Sequence, residues 1–219
     1  MDFRLTDEQK LMIEAARKVG DHFGTEYWRK QDAAKQFPKE FWLAVCDAGL
    51  CGAALPTAVG GAGLGMLELA LVVETLAACG GGATVGQLFM INPIFGGVAL
   101  SKFGTPEMKA GLLPQIVSGE INCCMALTEP DAGTNTLEIK SFAAEDGDGW
   151  RLNGRKIWIT GVEAATKMLV IARTKKLTEA ASRTDGLTMF MIDVDRAGLT
   201  HTPIDKLGTC TLDSSSVFF

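Results

Sequence analysis

Histidine is nearly missing from this chain of 219 residues, which holds only His22 and His201. A zinc site or a Ser-His-Asp triad needs imidazole within a constellation of partners, and neither histidine stands in one. Six cysteines (Cys46, Cys51, Cys79, Cys123, Cys124, Cys210) contain no C-x-x-C pair and are scattered through apolar context. That pattern predicts buried, reduced thiols and no metal ligation. Basic runs are short: the strongest, Arg173-Thr174-Lys175-Lys176, reads as a solvated turn. With 21 Lys and Arg against 26 Asp and Glu the formal net charge is −5, and a nucleic-acid partner is not expected. The most apolar stretch, residues 66–78, carries Glu68 and Glu74 and reads as too short to span a bilayer, so no membrane is expected. The opening residues, Met1 to Glu8, are acidic and lack an apolar core, unlike a transit or signal peptide. The expectation is a cytoplasmic protein.

Glycine is plentiful, with 25 residues, yet the nucleotide-binding glycine motifs are absent. Gly61-Ala62-Gly63 would need glycine at Met66, and Gly80-Gly81-Gly82 would need it at Val85. Gly149 and Gly154 have P-loop spacing, but Arg155 and Lys156 stand where Lys and Ser or Thr are required. Rossmann and P-loop readings fall away.

What is present changes character near residue 120. Before it, apolar residues recur at helical spacing. Thr6-Asp7-Glu8-Gln9 has the form of a capping box, followed by Leu11, Ala15, Val19 and His22 on a helix running to Gly24. A second helix opens at Pro38, with Phe41, Trp42 and Val45 inward and Gly49 as its stop. A loop over 55–63 leads into an apolar helix over 66–78. After the glycines at 80–82, further helices are expected over 92–103 and from 106 to 118. From Glu120 on, strands are expected over 122–128, 140–145, 150–160, 168–173, 188–194 and 200–204. Turn signals stand at Asp148-Gly149, Asn153-Gly154, Asp185-Gly186 and Ala197-Gly198. The chain therefore reads as α+β, an all-α domain over 1–119 and a β domain over 120–219. Residues 214–219 form a β-prone run with no closing turn or charge, and the chain is expected to be cut short there.

Two segments carry the chemistry. In Ala126-Leu127-Thr128-Glu129-Pro130-Asp131-Ala132-Gly133-Thr134-Asn135 a strand ends in a small-residue turn, and amides around Gly133 offer a nest for phosphate. In Lys156-Ile157-Trp158-Ile159-Thr160-Gly161, strand alternation puts Trp158 and Thr160 on one face and Ile157 and Ile159 on the other. An indole plane beside a hydroxyl suits a flat heteroaromatic ligand. Each segment alone is ordinary: a loop in one case, a buried core Trp in the other.

In this order and spacing the two resemble the flavin-contacting T-E-P-x-A-G-S-D turn and K-x-W-I-T strand of the acyl-CoA dehydrogenase family. The similarity continues in Leu5-Thr6-Asp7-Glu8-Gln9, in Pro56-Thr57-Ala58-Val59-Gly60-Gly61 and in Lys102-Phe103-Gly104-Thr105-Pro106-Glu107-Met108-Lys109. Leu113-Pro114, Gly119-Glu120 and the hairpin from Asp148 to Lys156 extend it over essentially the whole chain.

The resemblance implies a helical N-terminal domain, an antiparallel β-barrel-like domain, and truncation before a C-terminal four-helix bundle. It implies FAD as cofactor, an acyl-CoA thioester as substrate, electron-transfer flavoprotein as acceptor, and homo-oligomers at full length. Carried over by position, the cofactor-binding residues are Met125, Ala126, Leu127, Thr128, Gly133, Thr134, Trp158, Ile159 and Thr160. Thr128 would lie at the isoalloxazine edge, Gly133 and Thr134 at the pyrophosphate, Trp158 against the ring and Thr160 near N5. Thr134 would also approach the CoA portion, and helices around 86–98 would bound the acyl pocket. The family's catalytic glutamate lies in the C-terminal domain, so no catalytic residue is assigned here, and Glu129 is read as structural. Asn135 and Glu138 depart from the usual Asp and small residue. An acyl-CoA oxidase or flavin monooxygenase of the same fold, and a non-catalytic interaction module, remain alternatives.

Overall fold

The computed structural model describes residues 4–195 and 197–219, so the first residues of the acidic N-terminus lie outside the described part. It divides into two compact units: one reaches to Asn122 and includes Leu207–Leu212, and the other comprises Cys123–Lys206 and Asp213–Phe219.

In the first unit α1 spans Asp7–Ala34. The capping box forms: Thr6 Oγ1 accepts the Gln9 amide at 3.1 Å, and Gln9 Oε1 accepts the Thr6 amide at 3.0 Å. Gln9 Nε2 then donates to Glu68 Oε1 at 2.9 Å, tying α1 to α3 (Met66–Leu76). Gly24, at φ 59° and ψ 178°, kinks α1 but does not end it. The helix resumes because its next turns have a core to fill: Trp28 packs its ring on Phe41 at 4.7 Å between centroids, and Phe23 packs there at 5.4 Å. Helix α2 (Lys39–Asp47) buries Phe41, Trp42 and Val45, and Gly49 follows at φ 73°.

The apolar segment is longer than its sequence suggests. α3 continues through a wide turn at Ala77–Gly81 into α4 (Gly82–Phe89), then through a second at Met90–Val98 into α5 (Ala99–Phe103). The glycines bend this run, with Gly80 at φ 118° and Gly82 at φ 51°, where a break up to residue 92 was expected. The helical run covers 38 residues, with a window of mean hydropathy 1.5, and is long and apolar enough to cross a membrane by length and composition. The reading of this segment as too short is thereby corrected. Its inner face is committed to the core, where Leu69, Val72, Leu76, Val85, Leu88 and Phe89 cluster with Phe41 and Trp42. Helix α6 (Pro106–Ser118) starts on Thr105, whose hydroxyl accepts the Met108 amide, and stops at Gly119 with φ 77°.

The second unit holds two open sheets. Strands β1 (Cys123–Ala126), β2 (Phe142–Asp146), β3 (Gly149–Asn153), β5 (Lys167–Arg173) and β6 (Leu187–Asp193) form a mixed sheet. β4 (Arg155–Thr160), β7 (Thr200–Pro203) and β8 (Ser214–Phe218) form an antiparallel one, in the order β4-β8-β7. This corrects the antiparallel, barrel-like expectation. β1 runs parallel to β5, with Cys123 opposite Lys167 and Ala126 opposite Val170, and no closed barrel forms among the described residues. A parallel pair needs a long return connection, and here it consists of the β2–β3 hairpin and β4. Segment 150–160, expected as one strand with a turn, splits at Gly154 so that β3 and β4 belong to different sheets. Between the sheets Cys124, Ala126, Ile159, Val162, Met168, Val170 and Val217 form one core.

Arg173 is also corrected. It belongs to no solvated turn but is buried at the end of β5. Its guanidinium donates to the carbonyls of Leu137 (2.7 Å), Ile139 (2.9 Å), Arg183 (3.0 Å) and Asp185 (3.2 Å), fixing two loops on one side chain.

Candidate functional site

The two motif segments meet within the second unit. The backbone N–H of Ile157 donates to the carbonyl of Thr128 at 2.9 Å, so the turn after β1 and the middle of β4 are directly joined. The turn closes on itself, since Glu129 and Ala132 exchange backbone bonds of 3.1 Å across Pro130-Asp131.

Beside that junction β4 bulges. Lys156 pairs with Val217 and Ile159 with Ser215, so three steps on β4 match two on β8. The extra residue is accommodated by Trp158, whose φ is +60°. Regular alternation would give Lys156, Trp158 and Thr160 one environment; the bulge separates them. Trp158 is 55% exposed while Lys156 is 0% exposed. Ile159, 2% exposed, turns into the core with Ala126, so these two residues present only backbone to a ligand. Met125, Leu127, Thr128 and Thr160 are half-buried, and Gly133 and Thr134 are exposed. The Thr160 hydroxyl lies 3.5 Å from Ser214 Oγ.

Gly133 does not take a left-handed conformation. A β-carbon at Gly133 would meet nothing within 4 Å, so neither backbone nor packing inside the chain requires glycine. Its smallness leaves room for something outside the chain to approach closely. Among the described residues, no backbone acceptor takes the amides of Gly133 or Thr134. An exposed indole plane, two threonine hydroxyls and open amides beyond a short turn can stack a flat ring and bind an anionic tail.

The sequence reading assigned no role to Lys156. Its Nζ donates to Ile171 O (2.6 Å), Glu129 Oε1 (2.9 Å) and Leu127 O (3.0 Å). Glu129, 5% exposed, also accepts the amides of Lys140 at 2.7 Å and Ser141 at 2.9 Å. Burial alone would raise the Glu129 carboxyl, but bonds from Ser141, Lys140 and Lys156 outweigh it and hold the group below the usual carboxylate range. Burial pulls the Lys156 ammonium down, opposed by Glu129. A buried carboxylate held below its ordinary range by three hydrogen bonds and a counter-charge is a weak base, and this arrangement fits a structural role for Glu129. A buried lysine in a strand is visible in sequence only as a charge among β-branched neighbours, a signal too weak to name its partner. Glu138 pairs with Arg183 at the surface, and the Asn135 carbonyl accepts the Glu138 amide at 3.1 Å. The turn holds despite both departures.

Comparison with known proteins identifies the family. Residues 6–120 match the family model of the acyl-CoA dehydrogenase N-terminal domain, and residues 124–219 that of the middle domain. The acyl-CoA dehydrogenase FadE12 of Mycobacterium tuberculosis is 32% identical over 200 residues, 91% of this chain and 50% of that protein. Among solved structures, a glutaryl-coenzyme A dehydrogenase in complex with glutaryl-CoA superposes with a TM-score of 0.92 at 25% identity, over 100% of this chain and 55% of that one. Butyryl-CoA dehydrogenase from Megasphaera elsdenii superposes with a TM-score of 0.90 at 29% identity, over 100% and 57%. The chain spans about half the length of the curated relatives it matches. From its first helix to its last strand, the chain belongs to the acyl-CoA dehydrogenase family.

Proposed function

We propose that this chain supplies the flavin-facing part of an enzyme that dehydrogenates an acyl-CoA thioester between its α and β carbons, with FAD as cofactor. The observation that carries the reading is the Ile157–Thr128 bond, which brings the turn and the strand together with an exposed Trp158 beside them. When bound, the flavin supplies the acceptor for the β-hydrogen. The chain's own residues orient it. Trp158 stacks on the ring and shields it from water, the Thr160 hydroxyl hydrogen-bonds near N5, and Thr128 holds the ring edge. Met125, Ala126, Leu127 and Ile159 contribute backbone along that edge. Gly133 and Thr134 offer amides to the pyrophosphate, and Thr134 faces the CoA portion of the substrate. Glu129, tied to Lys156 and to two backbone amides, is not placed as the base that removes the α-proton; in this reading that base lies elsewhere in the complete protein. Electron-transfer flavoprotein as acceptor, homo-oligomerisation and a cytoplasmic setting, without nucleic-acid or membrane partners, complete the proposal.

The test is the visible absorption of the protein as its gene encodes it, reconstituted with FAD and then mixed anaerobically with acyl-CoA. Flavin bands that bleach on adding the thioester support the reading, and a protein that takes up no FAD overturns it. Rapid reoxidation by oxygen would move the assignment to an oxidase of the same fold.

A further inference from the structure

We infer that Lys156 is a positioning residue: its buried ammonium locks the turn after β1 to the bulge of β4 and so holds Thr128 and Trp158 at one fixed separation. The purpose of that separation rests on the flavin reading above; the geometry does not.

Three observations carry it. The ammonium has three N–H bonds and three acceptors, drawn from the turn (Leu127 O and Glu129 Oε1) and from β5 (Ile171 O). All its donors are therefore spent on fixing other segments. Second, Lys156 is the last residue in regular register before the bulge, and the next residue donates to Thr128 O. Trp158 follows at φ +60°, a conformation that a residue with a β-carbon holds only when both flanks are fixed. One flank is the pairing of Ile159 and Thr160 with Ser215 and Ser214, and the other is Lys156. Third, a buried ion pair is seldom more stabilising than apolar side chains of the same volume. A methionine–leucine pair would fill this space, yet it would leave the carbonyls of Leu127 and Ile171 without the lysine's directional bonds. The charge pair thus contributes geometry that packing alone does not.

The experiment compares the unaltered protein, Lys156→Met, and the double variant Lys156→Met/Glu129→Leu, each labelled with 5-fluorotryptophan. The Trp158 fluorine resonance is assigned with Trp158→Phe. The single variant, which strands a buried carboxylate, is expected to melt at lower temperature. The double variant is expected to regain only the part owed to the stranded charge, because Glu129→Leu also takes the acceptor from the Lys140 and Ser141 amides, while its Trp158 resonance shifts or broadens, with those of Trp28 and Trp42 unmoved. Its FAD dissociation constant is expected to rise severalfold. A double variant with the original Trp158 resonance and FAD affinity overturns the inference, because a purely structural pair would be replaced without trace. If the unaltered protein takes up no FAD, the flavin reading fails while the fluorine spectra still decide the positioning. If the variants do not fold, amide exchange in the unaltered protein decides. The Ile157 N–H is expected to exchange as slowly as the β5–β6 ladder, and loop-like exchange there overturns the inference.

Discussion

Gly154 lies so close to Ser141 that a β-carbon at position 154 would sit 2.2 Å from Ser141 Oγ and 2.9 Å from its Cα. At this contact the chain leaves β3 in one sheet and enters β4 in the other, and the Gly154 carbonyl accepts the Phe219 amide at 3.1 Å. The Ser141 amide is held by Glu129, so the backbone on the far side has little freedom to retreat.

Gly154→Ala is therefore expected to destabilise the protein by about 1–3 kcal/mol through overpacking. Urea denaturation reads the change, and a variant as stable as the original would show that the crossing point is loose.

Lys156→Met alone is expected to cost about 3–5 kcal/mol, because it leaves a buried carboxylate without its counter-charge. The same denaturation experiment checks it; a loss below about 1 kcal/mol would match a solvent-screened pair instead.

The Glu129 carboxyl has a lower pKa in the folded chain than its ordinary value. Its contribution to stability is complete above the unfolded value of about 4.3 and is lost as pH falls through the lower, folded one. The melting temperature is expected to drop on the acid side of about pH 4, and Glu129→Gln to flatten that limb. Melting curves between pH 2 and 7 read this, and an unchanged acid limb in the variant counts against it.

Trp158 holds a left-handed backbone and leaves most of its ring in solvent. Trp158→Gly removes a conformational penalty of about 1–2 kcal/mol and gives up little burial. The variant is expected to melt no lower than the original while losing affinity for FAD. Calorimetry and flavin titration read the two effects separately; a destabilised variant with intact FAD uptake would reverse the assignment.

Four of the six thiols, Cys46, Cys51, Cys123 and Cys124, are buried, and Cys79 and Cys210 are half-buried. Burial pushes the Cys123 thiol up to about 12 and raises Cys124 well above its ordinary value. At pH 8 a thiol reagent such as Ellman's is expected to reach at most the two half-buried cysteines in the folded chain. All six are expected to react in denaturant. Fast reaction at Cys123 or Cys124 without unfolding would contradict the packing of β1.

The sequence by itself determined the elements whose signals are local. Thr6 and Gln9 cap α1, Phe41, Trp42 and Val45 mark the inner face of α2, Gly49 and Gly119 end helices, and the strands fall close to their expected spans. The motif residues were legible as a family pattern from Thr128 to Thr134 and from Lys156 to Thr160. Only the tertiary structure decided that β1 runs parallel to β5, that the glycines at 80–82 bend a helical run without ending it, and that Arg173 is buried on four carbonyls. It also decided that Trp158 stands exposed at a bulge of β4 while Lys156 is buried. Caps and periodicity report the conformation of a few consecutive residues. Strand direction, bulges and the burial of a charge depend on partners distant along the chain, such as Lys167 for Cys123, Val217 for Lys156, Ile171 for the Lys156 ammonium and Ile139 for Arg173. Those partners become neighbours only once the chain has folded.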